Sequence, residues 1–191
     1  VTAVTKYILT HWGVGAVTLK PNGIFNLYKM KEIKLSKHGK NKGKYVALVD
    51  DEDFEYVNQF SWSVTIKPNK ITQSNIYAQS YIKINGDAKK VTLHRLIMKQ
   101  FTSEFIDHVN GCGLDCRKSN LRICTNGQNM ANKVSYNKTG YKGVHKIGNR
   151  YYSEITSNKK HYHLGFYDSI NDAYNAYIEA SKKYHGEFAK F

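Results

Sequence analysis

Four polar residues in the second half of the chain have the types and spacing that phosphodiester hydrolysis would need. Asp107 and His108 are adjacent, Asn120 follows His108 by twelve positions, and Asn129 follows Asn120 by nine. Such a reaction needs a base to activate water, a cation to take up charge on the phosphate and the leaving oxygen, and a scaffold that keeps the two in line. Asp107 and Asn129 offer hard oxygen donors suited to Mg²⁺ or Mn²⁺, with waters and phosphate oxygens filling the shell. An imidazole titrates near pH 6.5 when unperturbed, which suits His108 to the role of general base. Asn120 would hold the local structure or fix the His108 tautomer through a hydrogen bond.

The surrounding sequence supplies elements to carry these residues. Phe105–Val109 reads as a strand, 110–119 as a loop, and Asn120–Cys124 as a second short strand. Thr125-Asn126-Gly127-Gln128 has the form of a capping box, so a helix starts there. Asn129 and Asn132 lie one turn apart on one face of that helix, with Asn132 the backup metal ligand for a different register. Adjacent strand residues point to opposite sides, so a twist or a bend at the strand end must bring Asp107 and His108 to one site. Upstream, Tyr45–Val49 reads as a strand, and the acidic run Asp50–Glu55 as the negatively charged first turn of a short helix. Ile76–Ile84, Asn85-Gly86 and Val91–Leu93 form a hairpin pattern, after which Leu93, Leu96, Ile97 and Phe101 have helical spacing.

Taken together, His94-Arg95-Leu96, Asp107-His108-Val109-Asn110-Gly111, Leu114-Asp115, Arg117-Lys118-Ser119-Asn120-Leu121-Arg122 and Gln128-Asn129 resemble an HNH nuclease of the H-N-N subtype. The likeness is greatest to phage and intron-encoded homing endonucleases, and it extends to the lead-in Lys31–Leu35 and to Tyr45–Asp53. The resemblance implies a ββα-metal core with one divalent ion. It assigns Asp107 and Asn129 as metal ligands, His108 as base and Asn120 as an orienting residue. His94 would support the site from behind or serve as a core histidine, Arg95 would brace the site or touch phosphate, Asn132 would support it, and Arg117 and Lys118 would contact DNA. One departure concerns zinc. Many HNH proteins carry two CxxC pairs, whereas Cys112, Cys116 and Cys124 here are unpaired in that sense. A fourth ligand such as His108 would abolish the base, so no structural zinc is expected.

After a linker-like stretch, Asn137–Gly140, the pattern changes to strand, turn, strand, turn, strand. The strands are Tyr141–Lys146, Arg150–Thr156 and His161–Gly165. Ser169-x-x-Asp172 then caps a helix whose apolar face is Ala173, Tyr177, Ala180 and Tyr184, and Gly186 ends it. Tyr141-Lys142-Gly143-Val144, Tyr151–Ile155, Leu164–Asp168, Ala173–Tyr177 and Gly186-Glu187-x-Ala189 resemble the APETALA2/ethylene-response-factor DNA-binding domain, over about residues 139–191. That family lays its sheet in the major groove. If Ser153 and Ile155 pack on the helix, alternation turns Arg150, Tyr152, Glu154 and Thr156 outward, and with Leu164 inward His161 and His163 face out. The resemblance adds Lys142 and His145 to the expected DNA contacts, and the neighbouring Lys146 is counted with them. Lys142, His145, Thr156 and His161 stand where the plant domains carry arginines, so the base preference of those domains does not transfer.

Composition agrees with a nucleic-acid partner. The 191 residues carry a net charge of +14, spread as +7 over residues 1–90, +2 over 91–129 and +5 over 130–191. A basic excess along the whole chain fits a long duplex footprint better than one membrane-binding helix. No stretch approaches the roughly 20 apolar residues of a membrane span, and no signal pattern opens the sequence. Unpaired cysteines fit a reducing, cytoplasmic compartment, and the expected source is a phage or mobile element in a prokaryotic host. The expected fold class is α+β: a ββα-metal nuclease core plus a small three-stranded antiparallel sheet with one packed helix. The expected organisation is an unassigned segment 1–29, a nuclease domain 30–136 with a basic lead-in, and the APETALA2-type module 139–191. One site per chain suits a monomer that nicks duplex DNA, and a double-strand cut needs a dimer or two events. The rival reading is a sequence-specific DNA-binding regulator that does not cut.

Overall fold

The computed structural model describes residues 30–36, 38–66, 75–84, 86–133 and 137–191. The unassigned segment 1–29 and Asn85 of the hairpin signal lie outside the described residues. The architecture is α+β, built from small antiparallel sheets and short helices. It divides into two compact units. The first holds the described residues up to Thr102 together with Cys112–Leu121, and the second holds Ser103–Gly111 and Arg122–Phe191.

In the first unit, strand β1 (Met30–Lys34) pairs antiparallel with β2 (Val46–Asp50). Ala47 and Val49 of β2 are fully buried, as alternation on a one-sided sheet requires. Helix α1 (Asp51–Asn58) follows at once, with Asp51, Glu52 and Asp53 in its first turn, where the helix dipole favours negative charge. Strands β3 (Ser63–Ile66), β4 (Ile76–Ile84) and β5 (Asp87–Thr92) form an antiparallel sheet in that order. Helix α2 (Leu93–Ile97) buries Leu93, His94, Leu96 and Ile97. Helical spacing reached to Phe101 in the sequence, but α2 ends at Ile97; Lys99 has φ +52, which breaks the helical path. The segment Cys112–Leu121 lies beside β2: Leu48 N donates to Leu114 O and Cys116 N to Leu48 O, each at 2.8 Å. Gly113 is required there, because a Cβ would sit 2.4 Å from Ile76 O and 2.9 Å from the Tyr77 ring.

The second unit begins with a strand–strand–helix sequence. Strands β6 (Phe105–His108) and β7 (Leu121–Cys124, its Leu121 grouped with the first unit) make a two-stranded sheet, and helix α3 (Asn126–Ala131) follows. The capping box forms as its sequence predicts, with Gln128 N donating to Thr125 Oγ1 and Thr125 N to Gln128 Oε1. The apolar packing here is small: Cys124 and Ala131 close on Phe188.

Strands β8 (Val144–Ile147), β9 (Arg150–Ser157) and β10 (Lys160–Tyr167) form an antiparallel sheet with β9 central. Helix α4 (Ile170–His185) packs on it and ends in a 3-10 turn, Gly186–Phe188. Ser153 and Ile155 are buried against the helix side, and Ala173, Tyr177 and Ala180 return the contact. The Ser169 cap bonds Asn171 N instead of the third helical residue. Strand alternation on β10 is broken by a bulge between His163 and Gly165. The stretch read as a linker is a bonded turn. Asn137 Nδ2 donates to Tyr141 O and Val144 O, and Thr139 Oγ1 donates to Val144 O. These bonds add side-chain donors to the carbonyls of Tyr141 and Val144, where the turn enters β8. Gly143, at φ +68, lies so close to Tyr177 that a Cβ would fall 2.1 Å from a ring carbon and 2.5 Å from Glu154 O.

Candidate active site

Strand β6 carries Asp107 and His108 at its end, and both are buried, at 4% and 6% exposure. After the strand the chain turns: Gly111 N donates to His108 O at 2.7 Å, and Gly111 has φ +76. A carboxylate buried this deeply needs compensating donors. Asn132, at the C-terminus of α3, supplies one. Its Nδ2 lies 2.9 Å from Asp107 Oδ1, 3.0 Å from Asp107 Oδ2 and 2.9 Å from His108 O. Asn132 therefore braces Asp107 and the His108 backbone.

Arg122 supplies the other donors. Its Nε donates to Asp107 Oδ2 at 2.9 Å, and its Nη2 lies 2.8 Å from the same oxygen. The sequence reading gave Arg122 no role. The signal was present in β7, where strand period two puts Arg122 on the face of the buried Cys124.

Asn129 projects from α3 as a half-buried residue, and no side-chain bond ties it to another described residue. It lies one turn from Asn132, and its amide oxygen is bonded to no described residue. Asn120 belongs to the first unit. It ends the 3-10 turn Lys118–Asn120, is buried, and donates Nδ2 to Asp115 O at 2.8 Å, which holds its own loop closed. Asp107, His108, Asn129 and Asn132 thus share the second unit, while Asn120, His94 and Arg95 are carried by the first. His94 is buried beside Tyr77, with Nε2 3.2 Å from Thr92 Oγ1. Arg95 caps the end of α2, its Nη1 donating to Gln100 O and Thr102 O.

The donor set suits a hard divalent ion. Asp107 and Asn129 each present oxygen, the donor type that a hard divalent ion takes. All three cysteines are free thiols, and burial pushes Cys116 well above the usual thiol range. Cys124 is a packing residue whose Sγ lies 3.7 Å from Phe105 O.

The outer face of the β8–β10 sheet carries aromatic and polar groups together. His145 stacks on Tyr152 at 4.7 Å between ring centroids, and Tyr152 on His163 at 5.9 Å. Glu154 lies between two imidazoles, 3.1 Å from His145 Nε2 and 2.8 Å from His161 Nε2. Thr156, Lys146 and Arg150 are exposed, Arg150 paired with Asp168 at 2.8 Å.

Lys142, Arg117 and Lys118, also expected to contact DNA, are engaged with other groups of the protein. Lys142 turns inward and donates Nζ to Ala131 O and Lys190 O, and burial followed by repulsion from Lys190 lowers its pKa to about 8. Arg117 forks onto Asp115 through Nε and Nη2 at 2.8 and 2.6 Å. Lys118 pairs with Glu52 at 2.6 Å and Asp53 at 3.0 Å. The sequence shows a basic residue in each case but not the acidic or carbonyl partner folded against it.

Among the described residues no helix is long and apolar enough to cross a membrane. No family model matches the chain, and no solved structure matches it. It is similar to an uncharacterized HNH endonuclease of Acanthamoeba polyphaga mimivirus, with 30% identity over 144 residues, 71% of this chain and 73% of that protein. A likeness of that extent, over a chain whose buried Asp-His pair ends a strand ahead of a second strand and a helix, places this protein in the HNH endonuclease family.

Proposed function

We propose that the protein is a metal-dependent, site-specific DNA endonuclease of the homing type. The observation that carries this reading is the buried Asp107 carboxylate, fixed by Arg122 and Asn132 and followed directly by His108. Burying an acid and an imidazole at consecutive positions costs stability, and buried ionisable groups of this kind cluster at functional sites. Asp107 and Asn129 would hold Mg²⁺ or Mn²⁺. The cation would supply charge neutralisation at the scissile phosphate and the leaving oxygen.

The remaining chemistry belongs to the chain. His108 accepts the proton of a water as the water oxygen bonds to phosphorus. The P–O bond on the opposite side breaks, and its oxygen leaves with the electron pair. Asn132 keeps Asp107 and the His108 backbone in fixed relation while this occurs. Asn120 fixes the loop that leads into β7. Residues 30–136 would form the nuclease domain, and 139–191 an APETALA2-type module that reads duplex DNA. The outer sheet face supports that second role, since His145, Arg150, Tyr152, Glu154, Thr156, His161 and His163 lie on one surface of polar and stacked groups, while Lys146 lies over Tyr151 on the other face of β8. A monomer with one such site would nick.

The test is a run-off sequencing map of genomic DNA fragments incubated with the full chain and Mn²⁺. The reading expects breaks at one or a few sequences, lost when EDTA is added. Binding at discrete sequences with no breaks would instead identify a DNA-binding regulator.

A further inference from the structure

The two oxygens of Asp107 are held unequally. Oδ2 is contacted by Arg122 Nε at 2.9 Å, by Arg122 Nη2 at 2.8 Å and by Asn132 at 3.0 Å. Among the described residues Oδ1 has only Asn132, at 2.9 Å. A carboxylate offers about four acceptor positions, so Oδ1 retains the open one.

Arg122 is itself held from the far end of the chain. Its guanidinium lies over the Phe188 ring, 3.7 Å from the centroid, and its Nη1 donates to Glu187 O at 2.9 Å. Phe188 is buried with Cys124 and Ala131. Two residues on, Lys190 donates Nζ to Asn110 O at 3.3 Å, just past His108. The segment Glu187–Lys190 therefore grips both Arg122 and the turn that follows the Asp-His pair. A planar fork facing a carboxylate on one edge and stacked on a ring has little freedom to rotate.

We infer that Arg122, clamped between Asp107 and Phe188, is a positioning residue that ties Oδ2 and leaves Oδ1 as the oxygen offered to a divalent cation. This rests on the nuclease reading above. It also makes the last turn of the chain part of the scaffold of the active site, which a boundary near residue 137 would assign to a separate module.

The inference predicts a split between two readouts. Arg122 places positive charge beside the carboxylate, so losing its fork does not weaken cation binding. It loosens the orientation of Asp107, so turnover falls. Simple unfolding would lower both together. The test uses full-length Arg122→Lys, which keeps charge without the fork, and Phe188→Leu, which keeps burial without the ring. Each is compared with wild type in thermal unfolding, Mn²⁺ affinity and Mn²⁺ electron paramagnetic resonance line shape without DNA, duplex affinity in Ca²⁺, and single-turnover cleavage. Arg122→Lys should cleave about 10- to 100-fold more slowly, with Mn²⁺ and duplex affinities unchanged within about threefold and an altered line shape. Phe188→Leu should cleave about threefold to tenfold more slowly in the same pattern, and it carries the test alone if Arg122→Lys does not fold. Wild-type cleavage rates in the folded variants would overturn the inference, as would a loss of turnover fully accounted for by lost Mn²⁺ binding. If the wild type binds Mn²⁺ yet cuts nothing, the nuclease reading fails by itself. The line shape then decides the positioning role: an unchanged spectrum in both folded variants overturns it, and a changed one supports it.

Discussion

The second unit contains two regions built on opposite principles. The β8–β10 sheet and α4 are held by apolar burial, with Val144, Ile155, Ala173 and Tyr177 almost fully enclosed. Apart from Leu121, which groups with the first unit, the β6–β7 strands and α3 enclose Cys124 and Ala131, packed on Phe188, as their apolar group, and beside these the polar side chains Asp107, His108 and Asn132. Apolar packing is non-directional and tolerates exchange among residues of similar volume. A buried carboxylate is compensated only by donors at fixed distances and angles. The first region can therefore be stable without being specific in detail. The second is specific in detail and draws much of its support from elsewhere in the chain.

The largest expected effect lies in the packed region. Gly143→Ala must place a methyl group against the Tyr177 ring and Glu154 O at a positive φ. Urea unfolding should show a loss of more than about 4 kcal/mol. Gly148→Ala, also at positive φ but with nothing within 4 Å, should lose only about 1 kcal/mol. Equal losses would mean that packing does not set the stability of this sheet.

Asn129→Ala is the converse. Its side chain is half-buried and bonded to no described residue, so unfolding should be unchanged within about 0.5 kcal/mol. Cleavage should fall by a factor on the order of a hundred or more, since a metal ligand is lost. A stability loss without loss of cleavage would reverse the comparison.

The smallest effect concerns Lys142, whose amine joins the end of α3 to the C-terminal segment. Its pKa is lowered from 10.5 to about 8 in the folded protein. Between those values the unfolded chain binds a proton that the folded chain does not, so this group adds stability as pH rises through that window. Half-exposure weakens the effect, and wild type should gain about 2 °C in melting temperature relative to Lys142→Met between pH 7 and 9.5. An identical pH response in the two proteins would remove Lys142 from the account.

The contrast also explains what was legible in the sequence. The packed region follows period-two and period-3.6 patterns, so burial of Ser153 and Ile155, the face Ala173-Tyr177-Ala180 and the stop at Gly186 could all be read in advance. The Thr125 capping box is equally local. At the site, residue types and spacing marked Asp107, His108, Asn120, Asn129 and Asn132, but not which side chains bond. Arg122 meets Phe188 across sixty-six positions, and Lys118 meets Glu52 across sixty-six in the other direction. Such pairs depend on the tertiary path, which leaves no period in the sequence. For the same reason the inward turn of Lys142 looks, in sequence, like a surface cation.

The most direct test of the central claim is cleavage of a supercoiled plasmid, carrying a sequence taken from the run-off map, by wild type and by His108→Ala at saturating Mg²⁺. The wild type should nick it, stop in excess EDTA, and exceed His108→Ala by a factor on the order of a hundred or more. Equal rates for the two proteins, or cutting that persists in EDTA, would contradict a metal-dependent nuclease with His108 as its base.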